Sequence, residues 1–316
     1  MYNLVYMAKP IYGGWVTYTA HMSLKYDYPI YKIGKRSEKN SRDFGYMTRY
    51  QNLCIEEIIK KEHLIIVALD KHYYEYLKYF PKNTLLVIHD PTELKNKENP
   101  LIKDGLIDNF NIITIRQTVK DYLLKTYKID STFQTHPFYR YEKNKDSMNN
   151  YAVSISRIDF DKNTDNILKC NNLLEHDKRA KIFGKENRLY VHHKLKDLNF
   201  KDYWYGSYPK NLPMTYDTGI GEKNNLDILK DCKFMVDVST IKDDGGGTQY
   251  TFLEAIYNDC ILVLHREWIE KGTLFVEDEN CLAVKDEYEL RDILLDIREY
   301  DKEKIVRNAR KILENH

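Results

Sequence analysis

Asp243-Asp-Gly-Gly-Gly-Thr-Gln-Tyr-Thr-Phe-Leu-Glu254 runs on as Ala-Ile-Tyr-Asn-Asp-Cys-Ile-Leu-Val-Leu-His265. A glycine turn, a helix-forming run and a short apolar strand follow one another without a break. The run Phe234–Val238 before the turn is strand-like as well, so the stretch reads as strand, turn, helix, strand. Three consecutive glycines permit positive φ and close backbone approach. The helix, read over Thr248–Tyr257, then points its free N–H groups and positive dipole end at the turn, which suits a diphosphate. Glu254 falls about two turns into that helix, where a carboxylate can accept hydrogen bonds from a ribose diol. A flexible loop and a solvated Glu are the plain alternative, and the flanking strands weigh against it.

The same alternation extends in both directions. Strands are expected at Asn3–Ala8, His63–Leu69, Thr84–His89 and Asn111–Ile115. Further strands are expected at Tyr151–Ser156, Lys181–Phe183, Tyr203–Tyr205 and Cys260–Leu264. Helical runs fall at Trp15–Lys25, Gln117–Tyr127, Asn225–Lys230, Glu287–Glu299 and Asp301–Glu314. Between the two halves, Tyr139–Asn150 is polar, charged and aperiodic, which marks a linker. The pattern predicts two α/β domains, residues 1–148 and 149–316, each a doubly wound, Rossmann-like parallel sheet. The last helix is a candidate to pack back on the first domain. Ligands of such sheets bind at the carboxyl ends of the strands, so the chemistry is expected in a cleft that both sets of ends face.

Composition sets the frame. The 316 residues are too many for one small core, and 42% hydrophobic with 31% charged residues is ordinary for a globular protein. No apolar run approaches the ~20 residues that span a bilayer. The N-terminal MYNLVYMAKP has no basic stretch ahead of its apolar run, so it reads as a strand, and a cytoplasmic location with no membrane partner is expected. The five cysteines form no C-x-x-C pair, so reduced, mostly buried thiols are expected. The net charge of +1 conceals an asymmetry: residues 1–150 carry 23 basic and 17 acidic side chains, the remainder 26 and 31. Simple scatter explains that, and so does an anionic partner for the first half.

Five more segments carry candidate chemistry. Ser154-Ile-Ser-Arg157-Ile-Asp-Phe-Asp-Lys162 places two cations after a strand, Arg157 as a bidentate fork and Lys162 as a point charge, suited to a pyrophosphate leaving group. Gly13-Gly14 after the first strand departs from G-x-G-x-x-G and suits close backbone approach to a sugar or phosphate, or a plain turn. His89-Asp90 after Leu85–Ile88 is the candidate catalytic pair for proton handling. Tyr31–Gln51 interleaves Lys32, Lys35, Arg36, Lys39, Arg42 and Arg49 with Tyr31, Phe44, Tyr46 and Tyr50, which suits phosphate contacts and base stacking, or a solvated loop. Of these, Lys32, Lys35, Arg36, Arg42 and Tyr46 are the acceptor-side candidates. Finally, Phe183-Gly184-Lys185-Glu186-Asn187-Arg188 offers backbone groups that could read uracil.

Taken in order, Gly14-Trp-Val-Thr17, His89-Asp90, Ser156-Arg157 with Lys162, and Tyr250-Thr-Phe-Leu-Glu254 resemble the retaining GT-B glycosyltransferases of family four. Within them the chain is most similar to the DNA α-glucosyltransferases of T-even bacteriophages. The resemblance implies a GT-B fold, a UDP-sugar donor and retention at the anomeric carbon. It implies that Arg157 and Lys162 hold the diphosphate; together with Gly14, Gly184, Gly246, Gly247 and Thr248 they are the donor-site candidates. Glu254 would hold the ribose, and His89-Asp90 the sugar and reaction centre. The family's Glu-x7-Glu pattern is broken, because Gly246 stands where the first glutamate is expected. The expected acceptor is double-stranded DNA carrying a 5-hydroxymethylated pyrimidine. A polysaccharide or other glycan acceptor, a GT-B-fold sugar-nucleotide epimerase and a non-catalytic nucleic-acid-binding protein are the alternatives. No cofactor and no metal are expected, since cations occupy the place a metal would take.

Overall fold

A computed structural model of the chain describes residues 1–9, 14–45, 48–90, 99–140, 142, 150–206, 228–241, 247–271 and 273–316, and the backbone of 215–217 and 222–224. The described residues fall into two compact units, one holding Met1–Tyr139 and the other running from Arg140 to His316.

The first unit is built on an eight-stranded sheet. Its strands are β1 (Asn3–Met7), β2 (Ile30–Ile33), β3 (Arg42–Gly45), β4 (Thr48–Leu53), β5 (Leu64–Leu69), β6 (Leu85–Ile88), β7 (Asn111–Thr114) and β8 (Thr132–Phe133). They lie in the order β3-β4-β2-β1-β5-β6-β7-β8, all parallel except the β3–β4 hairpin at one edge. Leu64-Ile-Ile-Val-Ala-Leu69 is buried along its whole length, the signature of a central strand covered on both faces. The helix Gly14–Tyr26 follows β1 and is buried continuously from Val16 to Met22. Strand order reverses between β1 and β5, which makes their carboxyl ends the topological switch point.

The second unit carries a five-stranded, all-parallel sheet. Its strands are β9 (Ala152–Ile155), β10 (Ala180–Phe183), β13 (Phe234–Asp237), β14 (Ile261–His265) and β15 (Leu282–Val284), in the order β10-β9-β13-β14-β15. A separate antiparallel pair joins β11 (Thr215–Asp217) and β12 (Glu222–Asn224). Here the order reverses between β9 and β13. The terminal helix Lys302–Ile312 packs on the helix Tyr250–Tyr257 and on β14, both in its own unit. No helix among the described residues is long and apolar enough to cross a membrane.

Several sequence expectations need correcting. The basic segment 31–51 is only partly a loop: it supplies β2, β3 and β4, and residues 34–41, with Lys35, Arg36 and Lys39, form the loop between β2 and β3. Tyr203–Tyr205 is not a strand; Phe200–Tyr203 is one helical turn, and only Trp204 bridges to Ile182 of β10. The helix read over Glu287–Glu299 ends at Leu294, where the chain turns through Asp296 at φ 56°. Residues 225–227 of the helix expected at Asn225–Lys230, and most of the expected linker, lie outside the described residues. Four of the cysteines, Cys170, Cys232, Cys260 and Cys281, are buried free thiols, and Cys54 is half-buried. Burial pushes the Cys170 and Cys281 thiols up to about 12.

Candidate functional site

In the second unit, β9 ends at Ile155 and delivers Ser156 and Arg157 to the switch point. The Arg157 guanidinium is more than half exposed and faces two carboxylates, Asp159 at 3.1 Å and Asp161 at 3.5 Å. Lys162 follows in the same loop, and its ammonium has no ion-pair partner among the described residues. Asn163 then turns the chain in the left-handed region at φ 48° and starts the helix Thr164–Asn171. Arg157 and Lys162 are therefore brought to one loop at the carboxyl edge, as the spacing predicted.

Gly184 ends β10 beside that loop, and its role here is one of fit. At φ +144° its Cα lies so close to β9 that a Cβ would stand 1.7 Å from the Ser156 carbonyl oxygen. Only glycine lets the two strand ends close in this way. The pairing continues through Ile158 N to Lys185 O (2.9 Å) and Asn187 N to Ile158 O (2.8 Å), so the two loops run side by side.

Across the switch point, β13 ends at Asp237. One carboxylate oxygen accepts from Ser239 N at 2.9 Å. The other, together with the Ser239 hydroxyl, is buried without a hydrogen-bond partner among the described residues. Gly246 lies outside the described residues, and the chain is described again from Gly247, with Thr248 buried. The helix starts at Tyr250, two residues later than expected, because Gln249 is extended at its cap (φ −101°, ψ 149°). Glu254 thus sits just over one turn in, and its side chain is 1% exposed.

In the first unit, β6 delivers His89 and Asp90. His89 is buried, with Nε2 2.8 Å from the Val67 carbonyl oxygen, so Nε2 carries the proton and donates it. Burial pushes the imidazole down to about 4, against the opposing pull of that hydrogen bond. The ring is neutral at physiological pH and leaves Nδ1 as the acceptor. Tyr18 meets it edge-on at 4.8 Å and Trp15 at 6.4 Å, both from the helix that Gly14 opens. Among the described residues, no heavy atom outside its own helix and chain neighbours lies within 4 Å of where a Cβ on Gly14 would stand. Asp90 faces the Arg116 guanidinium at 3.9 Å. Arg116 escaped the sequence reading, although it follows β7 as His89 follows β6, and the strand-end rule alone would have picked it out.

Five of the six cations of the 31–51 segment separate into three kinds, and the sixth, Arg49, donates to Ser41 Oγ at 2.8 Å and Ser41 O at 2.6 Å. Lys32 is inside the unit: its ammonium donates to Ala8 O at 3.3 Å and lies over the rings of Tyr6 (5.1 Å) and Tyr50 (5.5 Å). Burial pushes it down to about 8, and it has no surface to offer a phosphate row, contrary to the sequence reading. Arg42 is exposed and held by Glu38 through two hydrogen bonds, 2.8 and 2.6 Å. Lys35, Arg36 and Lys39 are exposed and have no ion-pair partner among the described residues. Tyr46 lies outside the described residues.

The fold has known counterparts. The chain superposes on HepE of Anabaena in complex with UDP and glucose with a TM-score of 0.67, covering 99% of this chain and 95% of that one at 13% identity. It superposes equally fully on an α-glucosyltransferase in complex with UDP and a 13-mer DNA containing an HMU base: TM-score 0.66, 100% and 95% covered, 16% identity. TarM of S. aureus in complex with UDP matches over 84% of this chain and 60% of its own, with a TM-score of 0.53 and 13% identity. The two Rossmann-like units are those of the GT-B fold. No protein-family model matches the sequence, and no curated protein matches it either.

Proposed function

We propose that this chain is a retaining glycosyltransferase that takes its sugar from a UDP-sugar, with a 5-hydroxymethylated pyrimidine in duplex DNA as the acceptor. The observation that carries the donor side is the placing of Arg157 and Lys162 at the switch point of the second sheet, on a fold whose solved counterparts hold UDP. Lys162 offers a diphosphate a charge that has no ion-pair partner among the described residues, and Arg157 a guanidinium already oriented by Asp159 and Asp161. The helix beginning at Tyr250 adds its dipole, and Glu254 is the candidate acceptor for the ribose diol.

The acceptor oxygen attacks the anomeric carbon as the bond to the UDP oxygen breaks. The pair of electrons leaves with UDP, and the acceptor's proton passes to a phosphate oxygen or to Asp90. Neutral His89 is suited to accepting a hydrogen bond from a sugar hydroxyl through Nδ1. Charge on the leaving group is met by the chain's own cations.

DNA is favoured over a neutral glycan by the exposed cations Lys35, Arg36 and Lys39 in the β2–β3 loop, since a phosphate row rewards them. Mass spectrometry of products from several UDP-sugars offered hydroxymethylcytosine, hydroxymethyluracil and unmodified duplexes tests the reading. Transfer to either modified duplex but not the plain one is expected. Transfer to a glycan alone would replace the acceptor, and hydrolysis or transfer with no UDP-sugar at all would remove the activity.

A further inference from the structure

The stem that leads out of β13 is extended, and its residues alternate between two partners. Val238 O accepts from Asn163 Nδ2 at 3.0 Å, and Thr240 N donates to Asp161 O at 3.2 Å. These even-numbered residues tie the stem to the loop that carries Arg157 and Lys162. The odd-numbered ones turn the other way, to the helix Glu267–Glu270 that follows β14. Ser239 O accepts from Trp268 Nε1 at 2.9 Å. Ile241 is held at both ends of its backbone: its N–H donates to Glu267 Oε2 at 3.0 Å, and its carbonyl accepts from Lys271 Nζ at 2.8 Å. Lys271 and Glu267 also pair at 3.4 Å. This is the period-2 geometry of a strand, with each side satisfied by a different loop.

We infer that Glu267 and Lys271 are positioning residues for the donor diphosphate. They fix the Ile241 peptide and thereby the stem. Through Thr240 and Val238 the stem sets where the Arg157–Lys162 loop stands. This rests on the proposed UDP-sugar reading and adds to it two residues that touch no donor atom. Trp268 is buried and anchors the helix, whereas Glu267 and Lys271 are 31% and 46% exposed, so replacing them leaves the core filled.

The experiment compares Glu267→Ala, Glu267→Gln and Lys271→Met with the wild-type protein, reading amide exchange at Ile241, UDP affinity by calorimetry, and steady-state kinetics. Alanine should release the Ile241 amide and weaken UDP binding about tenfold, the scale of one lost hydrogen bond to a charged group. KM for the UDP-sugar should rise more than kcat falls. Glutamine keeps an acceptor for the Ile241 N–H and should restore most of the affinity, which a general loss of stability would not allow. Lys271→Met should fall between them. An Ile241 amide freed with UDP affinity unchanged overturns the inference, as does an amide that stays protected in Glu267→Ala. Failure of the wild-type protein itself to bind UDP would sink the donor reading and this inference together, and is seen without any variant.

Discussion

His89 Nε2 lies 2.8 Å from the carbonyl oxygen of Val67, on the neighbouring strand, and this contact decides which face of the imidazole a ligand can use. With Nε2–H committed, Nδ1 is the nitrogen left to accept. Since burial holds the ring down to about 4, no limb near pH 6.5 from this residue should appear in the pH profile of kcat/KM. A His89→Gln variant should lose activity while keeping the wild-type profile between pH 5.5 and 8; a limb that vanishes on substitution would show that His89 does carry a proton.

Folding stability should follow the buried histidines. His21 is buried beside Phe138, its Nδ1 accepting from Tyr139 N, and burial pushes it down to about 3. Both His21 and His89 bind protons less readily folded than unfolded. Their contribution is therefore complete above about 6.5 and is lost as pH falls from there toward about 4 for His89 and about 3 for His21. Urea midpoints should drop steadily between pH 7 and pH 4.5, and His21→Phe should flatten that slope. An unchanged slope would place His21's shift elsewhere.

Gly184→Ala should be among the most damaging single-methyl additions in the chain. The new Cβ meets the Ser156 carbonyl oxygen at 1.7 Å, with the backbone in a region closed to alanine. The cost should be about 3 kcal/mol or more, read as a fall in thermal midpoint. A stable Gly184→Ala protein would mean that the β9 and β10 ends separate freely.

Lys162→Ala should weaken UDP binding at least as much as Arg157→Ala, by roughly tenfold or more. Arg157 already shares its charge with Asp159 and Asp161. Lys162 has no ion-pair partner among the described residues. Calorimetry giving the reverse order would make Arg157 the principal diphosphate contact.

DNA affinity, if the proposed acceptor holds, should fall with salt at a slope of about −0.9 per phosphate contacted. Replacing Lys35, Arg36 and Lys39 together should flatten that slope by up to about 2.7. Arg42→Ala should change it less, because Glu38 already neutralises Arg42. Lys32→Met should leave the slope untouched. A slope insensitive to the triple replacement would move the DNA surface off this edge.

The sequence by itself determined the alternation of buried strands and helices, the two parallel sheets, and the residues at strand carboxyl ends. Runs such as Leu64–Leu69 and Ile261–His265 can only be central strands, and whatever follows such a strand is delivered to its carboxyl edge. That is why His89, Asp90, Arg157 and Lys162 were legible. Side-chain partners were not, because they come from segments distant in the chain. Nothing in the segment around Lys32 announces that Tyr6 and Tyr50 enclose its ammonium, or that the same segment pairs Arg42 with Glu38. Nothing around Gly184 in the sequence announces that the Ser156 carbonyl oxygen occupies the space a Cβ would need there. Glu267 and Lys271 lie 26 and 30 residues beyond Ile241 and carry no motif. Burial, hydrogen-bond partner and charge compensation are properties of three-dimensional neighbourhood, and only the packed sheets decide who the neighbours are.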